Sequence, residues 1–458
     1  MVDLHAVIAK ALPLCEPLKG ENKELEEVAQ LAMKLVKERT AGLHEVVGVF
    51  FGGSFAKGTW LRGDADIDIF VKIRPSVNEG RFEELGKEIG LSALKAHRPQ
   101  LRYSDHPYVE AFIRKVRVNI VPCYEVEQGK WQSAADRSPF HTEYVSTNFD
   151  SEKRNQARLL KRFFKSCGVY GAEISTGGFS GYVAEVLVQK YGSFESVLRA
   201  GPTFREHQVI AVDDKYDPDI VKGFHSSLVV IDPVDIRRNL GTAISPESVG
   251  TFMLAARAFL DRPSLRYFKL GAEQPVSRKK EKIYRNLMIV ELRHRQRSPD
   301  IIWGQLKRCM NAIAKQLEIA DFVVLRSSCV TDEKNSAALA FLLESLTLPP
   351  FTVRKGPQVY RSKDTASFAL NARSRSHAAW VDREMRITTL VDRQVTDAGR
   401  FIKSLFGDRW GNSGIPKDLV SDKAKIRIYS GSEKKITGLA KEVVGDIVST
   451  AHFIFGRA

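Results

Sequence analysis

Residues 52–71 read GGSFAKGTWLRGDADIDIFV and join a Gly-Ser turn to an Asp-x-Asp triplet that opens an apolar run. The preceding residues 46–51, VVGVFF, are apolar and β-prone, and they end at a glycine pair. This pattern predicts a buried strand with the turn at its carboxyl end. The backbone amides of such a turn can face an anion.

Asp66 and Asp68 lie two residues apart at the start of a predicted strand that runs to Ile73. Because strand side chains alternate between the two faces, both carboxylates point the same way while Ile67 and Ile69 enter the core. An Asp-x-Asp triplet alone is common on solvated strand edges. Magnesium prefers a few carboxylates together with phosphate oxygens, so the adjacent turn and triplet predict a site for a Mg²⁺-bound nucleoside triphosphate.

Further motifs follow along the chain: RYSDHPYV at 102–109, VNIVPCY at 118–124, DRSPFH at 136–141, RLLK at 158–161, VYGAE at 169–173, GFSGY at 178–182, DPVD at 232–235, RN at 238–239, PSL at 263–265 and GPQ at 356–358. In this order, after residues 52–71, they make the chain resemble the nucleotidyltransferase superfamily of DNA polymerase β. Within it, the chain is similar to the archaeal, class I, CCA-adding tRNA nucleotidyltransferases over nearly its whole length. The resemblance implies an α/β, polymerase β-like nucleotidyltransferase head, a helical neck, and an α+β C-terminal body and tail.

The predicted domains are a catalytic head at 1–150, a neck at 151–265 that binds the nucleotide and the acceptor end, and a tRNA-binding body and tail at 266–458. By the same resemblance, the catalytic and metal-binding residues are Asp66, Asp68 and Asn119. The nucleotide-binding residues that it implies are Gly53, Ser54, Lys57, His141, Lys161, Tyr170 and Arg238. The resemblance implies that Ser54 and Lys57 contact the triphosphate and that Arg238 reads the incoming base. It also implies that His141, Lys161 and Tyr170 hold the phosphates and the sugar. Lys57 stands where relatives commonly have arginine, so the charge is kept but the two-pronged guanidinium is lost.

Asn119 lies in a later strand, predicted at 116–122, and departs from the superfamily pattern, which has a third carboxylate at this position. The amide keeps a carbonyl oxygen but loses the charge that helps to hold a metal near the attacking hydroxyl. Three explanations are open: a substitution made to trap a substrate complex, a natural enzyme with reduced metal affinity at one site, or a non-catalytic homologue. The intact remainder of the pocket favours the first.

The composition fits a large nucleic-acid enzyme. The chain has 458 residues, of which 43% are hydrophobic and 27% charged, and this predicts ordinary globular packing in about two to four modules. Five scattered cysteines without Cys-x-x-Cys spacing predict neither a disulfide framework nor a zinc site, and with no apolar run long enough for a membrane span we expect a cytoplasmic protein. The net charge of +15 favours a polyanionic partner such as RNA. Basic clusters at 278–282 and 293–297 and the pair Arg373 and Arg375 lie far downstream of the acidic triplet.

Hydrophobic periodicity predicts the remaining elements. A helix is expected from Ser151 to Tyr170, started by Ser151, with Ala157, Leu160, Phe164 and Cys167 on one face and Lys161 and Arg162 on the others. Ser180 is expected to cap a helix. Further expectations are helices at 183–191, 249–260, 301–319, 391–406 and 436–448, strands at 287–292 and 322–325, an apolar run at 337–346 and a linker at 411–416.

The resemblance implies an enzyme that adds C, C and A to the 3′ end of immature or damaged tRNA from CTP and ATP, without a nucleic-acid template, and that releases pyrophosphate. Mg²⁺ is the implied cofactor, and tRNA is the implied partner. Two alternatives stay open. One is another RNA terminal nucleotidyltransferase, of the poly(A) or oligoadenylate synthase type, and the other is a tRNA-binding pseudoenzyme, which Asn119 suggests. The sequence also leaves a homodimer open.

Overall fold

The computed structural model divides the chain into two compact units, Met1–Gln274 with Thr450–Ala458 and Pro275–Ser449. The structure describes residues 3–103, 107–270, 283–421, 426–431, 436–451 and 453–454. The predicted basic cluster at 278–282 and part of the motif at 102–109 lie outside these residues.

The first unit opens with a five-stranded sheet of order β1-β2-β5-β4-β3. Its strands are β1 Val46–Gly52, β2 Asp66–Ile73, β3 Gln100–Tyr103, β4 Pro107–Ile113 and β5 Val116–Tyr124. Helices α1 Leu4–Cys15, α2 Lys19–Thr40, α3 Gly53–Lys57 and α4 Glu79–Ala93 lie among them in sequence. The predicted strands at 46–51, 67–73 and 116–122 are therefore confirmed. The expected burial of the first was wrong, because β1 lies at the edge of the sheet and most of its residues are only partly buried.

One face of this sheet is apolar, and the other carries the acidic residues. Ile67 and Ile69 are fully buried in a core that includes Leu25 of α2 and Phe82 of α4. Asp66 and Asp68 alternate with them and are only partly buried. The period-two pattern of the sequence thus separates the core face from a polar face, as predicted.

The rest of the first unit is mostly helical. Its helices are α5 Arg137–Asn148, α6 Ser151–Ser166, α7 Gly181–Tyr191, α8 Phe194–Ala200, α9 Pro218–Lys222 and α10 Pro246–Asp261. A three-stranded sheet, β6 Gln208–Ile210, β7 Leu228–Asp232 and β8 Asp235–Asn239, was not foreseen in the predicted helical neck. Phe163, Phe164 and Phe252 are among the aromatic residues that pack the core of this region.

Two details of α6 differ from the prediction. Its N-cap is Asp150, whose carboxylate accepts a hydrogen bond from Lys153 N, and the helix ends at Ser166 rather than Tyr170. Lys161 was expected on a face other than the apolar one, and only 1% of its surface is exposed. A buried ammonium group needs acceptors, and other elements of this unit supply them, as described below. The predicted cap of α7 is confirmed, because Ser180 accepts a hydrogen bond from Val183 N.

The second unit contains a four-stranded and a three-stranded sheet. Its strands are β9 Leu287–Arg293, β10 Val324–Thr331, β11 Ser336–Leu343, β12 Phe351–Gln358, β13 Ser376–Val381, β14 Arg386–Asp392 and β15 Arg427–Ser430. Its helices are α11 Pro299–Ile319, α12 Ser362–Ala372, α13 Ala398–Leu405, α14 Lys417–Ser421 and α15 Gly438–Val448.

Two predictions in the second unit were wrong. The expected helix at 391–406 begins only at Ala398, because the residues up to Asp392 pair as β14 with β12 and β13. The expected linker at 411–416 packs within the unit, with Ser413 and Ile415 buried. None of the described helices is both long enough and apolar enough to span a bilayer.

Candidate active site

The Gly-Ser turn and the acidic strand meet at Gly53 and Asp68. The antiparallel register of β1 and β2 places Gly52 opposite Asp68. Gly53 adopts a φ of +64°, and a Cβ atom added there would lie 1.8 Å from Asp68 Oδ2. Only glycine fits this position without strain or clash, because the carboxylate rests against the backbone of the turn. Ser54, the next residue, lies in α3 at the same edge.

Asn119 lies beside Asp68 because β5 pairs in parallel with β2 in a register that matches these two residues. Asn119 Nδ2 donates a hydrogen bond to Asp68 Oδ1 at 2.8 Å. The amide oxygen of Asn119 is buried and accepts no hydrogen bond from any residue that the structure describes. Burial raises the pKa of Asp68, although the hydrogen bond from Asn119 works in the opposite direction.

Asp66 has a different partner. The same register sets it opposite Arg117, whose Nε donates to Asp66 Oδ1 at 2.9 Å and whose Nη2 donates to Asp66 Oδ2. Both oxygens of this carboxylate are therefore bound by one guanidinium group. The two carboxylates among the three predicted metal ligands lie on one face, but Asp68 is bound by an amide and Asp66 by a guanidinium group.

A buried ionic network lies behind the turn. Glu185 of α7 accepts hydrogen bonds from Lys57 Nζ at 2.9 Å, from Lys161 Nζ at 2.7 Å and from Thr59 Oγ1 at 2.5 Å. Burial alone would raise the pKa of Glu185, but the charges of Lys161 and Lys57 and the donated hydrogen bonds together lower it to about 2. Burial lowers the pKa of Lys161. The two lysines predicted to bind phosphate are thus held by one carboxylate.

A second polar cluster surrounds Asp232, which is fully buried. His141 Nε2 lies 2.8 Å from Asp232 Oδ2, and Arg238 Nη1 lies 3.8 Å from the same oxygen. The ring of His141 stacks on Tyr182 with centroids 3.9 Å apart, and Lys57 Nζ lies 4.4 Å from the centroid of that tyrosine ring. Burial lowers the pKa of His141, although its hydrogen bond to Asp232 opposes this.

Three of the side chains described above border one cavity. A cavity of about 360 Å³ is lined by Asp68, Asn119 and Arg238 among others. Tyr170 is partly buried near Lys161, since a Cβ at Gly181 would lie 3.1 Å from the Tyr170 hydroxyl and 3.5 Å from Lys161 Nζ. Asp66 lines a separate cavity together with Arg117.

Known family models match three consecutive parts of the chain. They are a nucleotidyltransferase domain over residues 32–143, the second domain of tRNA nucleotidyltransferase over residues 155–269, and the C-terminal domain of the CCA-adding enzyme over residues 285–419. The CCA-adding enzyme of Pyrobaculum aerophilum is 39% identical over 374 residues, which cover 79% of this chain and 84% of that protein. The chain belongs to the CCA-adding enzyme family.

Other members of this family are similarly related. The CCA-adding enzyme of Pyrobaculum neutrophilum is 36% identical over 362 residues, covering 79% of this chain and 84% of that protein. The CCA-adding enzyme of Saccharolobus shibatae is 35% identical over 396 residues, covering 86% of this chain and 90% of that protein. The family identified from the motifs of the sequence is thus confirmed, as is a nucleotidyltransferase domain in the head.

Members of the nucleotidyltransferase superfamily typically use divalent metal ions. In the part of the chain that the structure describes, no group of three or more His, Cys, Asp or Glu side chains could hold one. Asp68 and the Asn119 oxygen, which has no hydrogen-bond partner among the described residues, nevertheless fit a hard cation, because they offer one charged and one neutral oxygen at the same edge. Asp66 does not fit while Arg117 occupies both of its oxygens.

Sequence reasoning missed four side chains of this site: Arg117, Tyr182, Glu185 and Asp232. Glu185 carries a signal, because an acid within the apolar run of α7 predicts a buried charge that needs a partner. Asp232 is the first residue of the DPVD motif at 232–235, but the sequence alone assigned it no role. Arg117 has no local signal, since its contact with Asp66 depends on which strands pair.

Proposed function

We propose that this chain adds C, C and A to the 3′ end of tRNA from CTP and ATP, releases pyrophosphate and uses no nucleic-acid template. The observation that carries this proposal is the contact between Asp68 and the Gly53 turn, which sets a carboxylate against a phosphate-binding loop in a member of the CCA-adding enzyme family. Immature and damaged tRNAs that lack the CCA end are the substrates. Cytoplasmic location and a homodimer stay predictions.

In the reaction, the 3′-hydroxyl of the tRNA attacks the α-phosphate of CTP or ATP. A phosphodiester bond forms, the bond between the α- and β-phosphates breaks, and pyrophosphate leaves. The protein contributes mainly by holding the two substrates in line and by balancing the charge of the triphosphate.

We assign the binding roles as follows. Ser54 and Lys57 hold the triphosphate at the turn, and the cation of Lys57 is aimed by Glu185. His141 and Tyr170 border the phosphates and sugar. Arg238, next to Asp232, reads the incoming base. Lys161 acts through Glu185 and Thr59 rather than by direct contact, because its ammonium group is buried and already bound by both of them.

Mg²⁺ is the proposed cofactor, with Asp68 and Asn119 as its protein ligands, while Asp66 stays bound to Arg117. When bound, the ion would neutralise phosphate charge and lower the pKa of the attacking hydroxyl. The amide of Asn119 supplies an oxygen but no negative charge, so we expect a lower rate than that of a chain with a carboxylate at this position.

The test is incorporation of labelled CMP and AMP into tRNA that lacks its CCA end, by the wild-type chain and by Asn119→Asp. We expect both to add nucleotides, with Asn119→Asp faster by about tenfold or more, the size of change typical when a partner of a metal site is restored. A tRNA-binding pseudoenzyme would bind the tRNA but add nothing, and the reversion would not raise incorporation.

The choice of substrate separates the other alternative. A CCA-adding enzyme completes tRNAs that lack CCA, CA or only the final A. It adds the missing nucleotides in the order C, C, A, and it stops after A. A poly(A) or oligoadenylate synthase would extend with ATP alone and would not depend on a tRNA body. Continued AMP addition to an unstructured RNA would therefore contradict the proposed function.

A further inference from the structure

Arg117 supplies a fixed positive charge at the acidic edge of the head sheet. It is exposed, and its guanidinium group binds both oxygens of Asp66. A bidentate pair of this kind is among the stronger charge-assisted contacts in proteins, because both the distance and the planarity are matched. The Asp66 carboxylate therefore already has a cationic partner that is part of the chain.

The same guanidinium faces a second acid. Arg117 Nη1 lies 4.0 Å from Glu110 Oε2, and Glu110 is the register partner of Asn119 across β4 and β5. Glu110 is buried, and Arg102 of β3 binds its other oxygen, with Nη2 at 2.7 Å and Nε at 2.9 Å. Glu110 is thus neutralised by two arginines and does not act as a spare carboxylate for a metal.

Asn119 and Asp68 form the other half of this polar face. The carboxylate is negative and the amide neutral, so this pair presents one negative charge and one buried oxygen to which no residue in the described part of the chain donates a hydrogen bond. That set suits one divalent ion together with phosphate oxygens. Two ions a few ångströms apart would need more negative charge than this pair offers, because their mutual repulsion must be offset by ligands.

We propose that the Arg117 guanidinium takes the place of a second cation beside Asp66, so that this chain binds one divalent ion with the nucleotide at Asp68 and Asn119 rather than two. This rests on the proposed nucleotidyltransferase function and concerns how its site balances charge. Arg117 and Asn119 act together: the first neutralises Asp66, and the second removes the carboxylate that would help to hold another ion.

The test counts Mn²⁺ bound to the full-length chain, without tRNA, in the presence of a CTP analogue with a methylene group between the α- and β-phosphates. Electron paramagnetic resonance measures the free ion, and the spectrum of the bound ion shows whether it is isolated or coupled to a second one. We expect the wild type to saturate at one Mn²⁺ per chain with the spectrum of an isolated ion. The double variant Arg117→Gln/Asn119→Asp is expected to bind two, with a spectrum broadened by their coupling.

The matched control is Arg114→Gln/Asn119→Asp. Arg114 lines the same cavity as Asp66 and Arg117, but its guanidinium binds the exposed carboxylate of Glu27. This control removes the same charge and adds the same carboxylate while Arg117 keeps Asp66, so we expect it to stay at one ion. Two ions in the control would show that Arg117 does not hold the second position.

Two coupled ions in the wild type would overturn the inference by themselves, even if neither variant folds, and would leave the proposed CCA addition untouched. Absence of any protein-bound Mn²⁺ with the analogue would overturn both, since the site would then hold no metal-bound nucleotide.

Discussion

Glu185 is the residue on which the interior of the site depends. Its carboxylate is bound by two ammonium groups and a hydroxyl, and its side chain is 2% exposed. A carboxylate between two buried ammonium groups balances their positive charges, whose removal from water would otherwise destabilise the folded state.

Replacing Glu185 with Gln is therefore expected to destabilise the protein by about 3–5 kcal/mol, because two buried ammonium groups lose their counter-charge. Urea unfolding followed by circular dichroism measures this. The matched control is Glu195→Gln on α8. The carboxylate of Glu195 pairs with the exposed Arg199, so this change should lower the free energy of unfolding by less than about 1 kcal/mol. Equal losses for the two variants would contradict the role given to the buried network.

The pH dependence of stability follows from the same carboxylate. The pKa of Glu185 is lowered from 4.5 to about 2 in the folded protein. The pKa of Glu185 is lower in the folded protein than in the unfolded chain, so its ionised carboxylate stabilises the folded state fully above about pH 4.5. This stabilisation, about 3 kcal/mol of unfolding free energy, is lost as the pH falls towards about 2.

Urea midpoints at about pH 6 and about pH 3 test this expectation. The wild type should lose more stability than Glu185→Gln over this interval, because the amide does not titrate. A wild-type loss no larger than that of the variant would show that Glu185 is not held ionised by the two lysines.

At the scale of elements, the junction of β1, α3 and β2 joins the phosphate turn to the acidic strand. The junction needs glycine at position 53 for two reasons: the φ of +64°, and the Asp68 oxygen 1.8 Å from the place of a Cβ. The backbone conformation alone costs roughly 1–2 kcal/mol for a residue with a side chain.

Gly53→Ala is expected to lower the melting temperature and to abolish measurable CMP incorporation, because the added methyl group displaces the Asp68 carboxylate from the turn. Thermal unfolding and the tRNA assay measure the two effects. Gly48→Ala in β1 is the matched control, since a Cβ there meets nothing within 4 Å. Normal CMP incorporation by Gly53→Ala would mean that the contact between turn and carboxylate is not needed.

At the scale of the whole molecule, the net charge of +15 predicts that tRNA binding weakens steeply with salt. With about six phosphate contacts, affinity should fall roughly a thousandfold between about 50 and 200 mM salt. Arg373 and Arg375 are both exposed in the second unit. If both bind phosphate, Arg373→Gln/Arg375→Gln should reduce the slope of log K against log salt by about 1.8.

Filter binding or fluorescence anisotropy with CCA-lacking tRNA measures this slope. Lys10→Gln/Lys23→Gln removes the same charge from exposed positions of the first unit and should leave the slope nearly unchanged. Equal changes in the two variants would indicate that the net charge, rather than a defined surface of the second unit, attracts the tRNA.

The local patterns of the sequence were sufficient for much of the fold. The strands around Asp66 and Asn119, the alternation that buries Ile67 and Ile69, and the Ser180 cap were all predicted correctly, because each depends on neighbours a few residues away. The family followed from the order of the motifs. The helix expected at 391–406 was wrong because strand pairing with distant residues competes with helical periodicity.

The sequence by itself determined the turn, the acidic strand, the departure at Asn119 and the family to which the chain belongs. Only the tertiary structure decided that Lys161 is buried, because its acceptor Glu185 lies 24 residues further along the chain. It also decided that Arg117 neutralises Asp66, a contact across 51 residues that exists because β2 pairs with β5. The physical reason is that charge balance in a buried site is set by which elements meet, and no local pattern records that meeting.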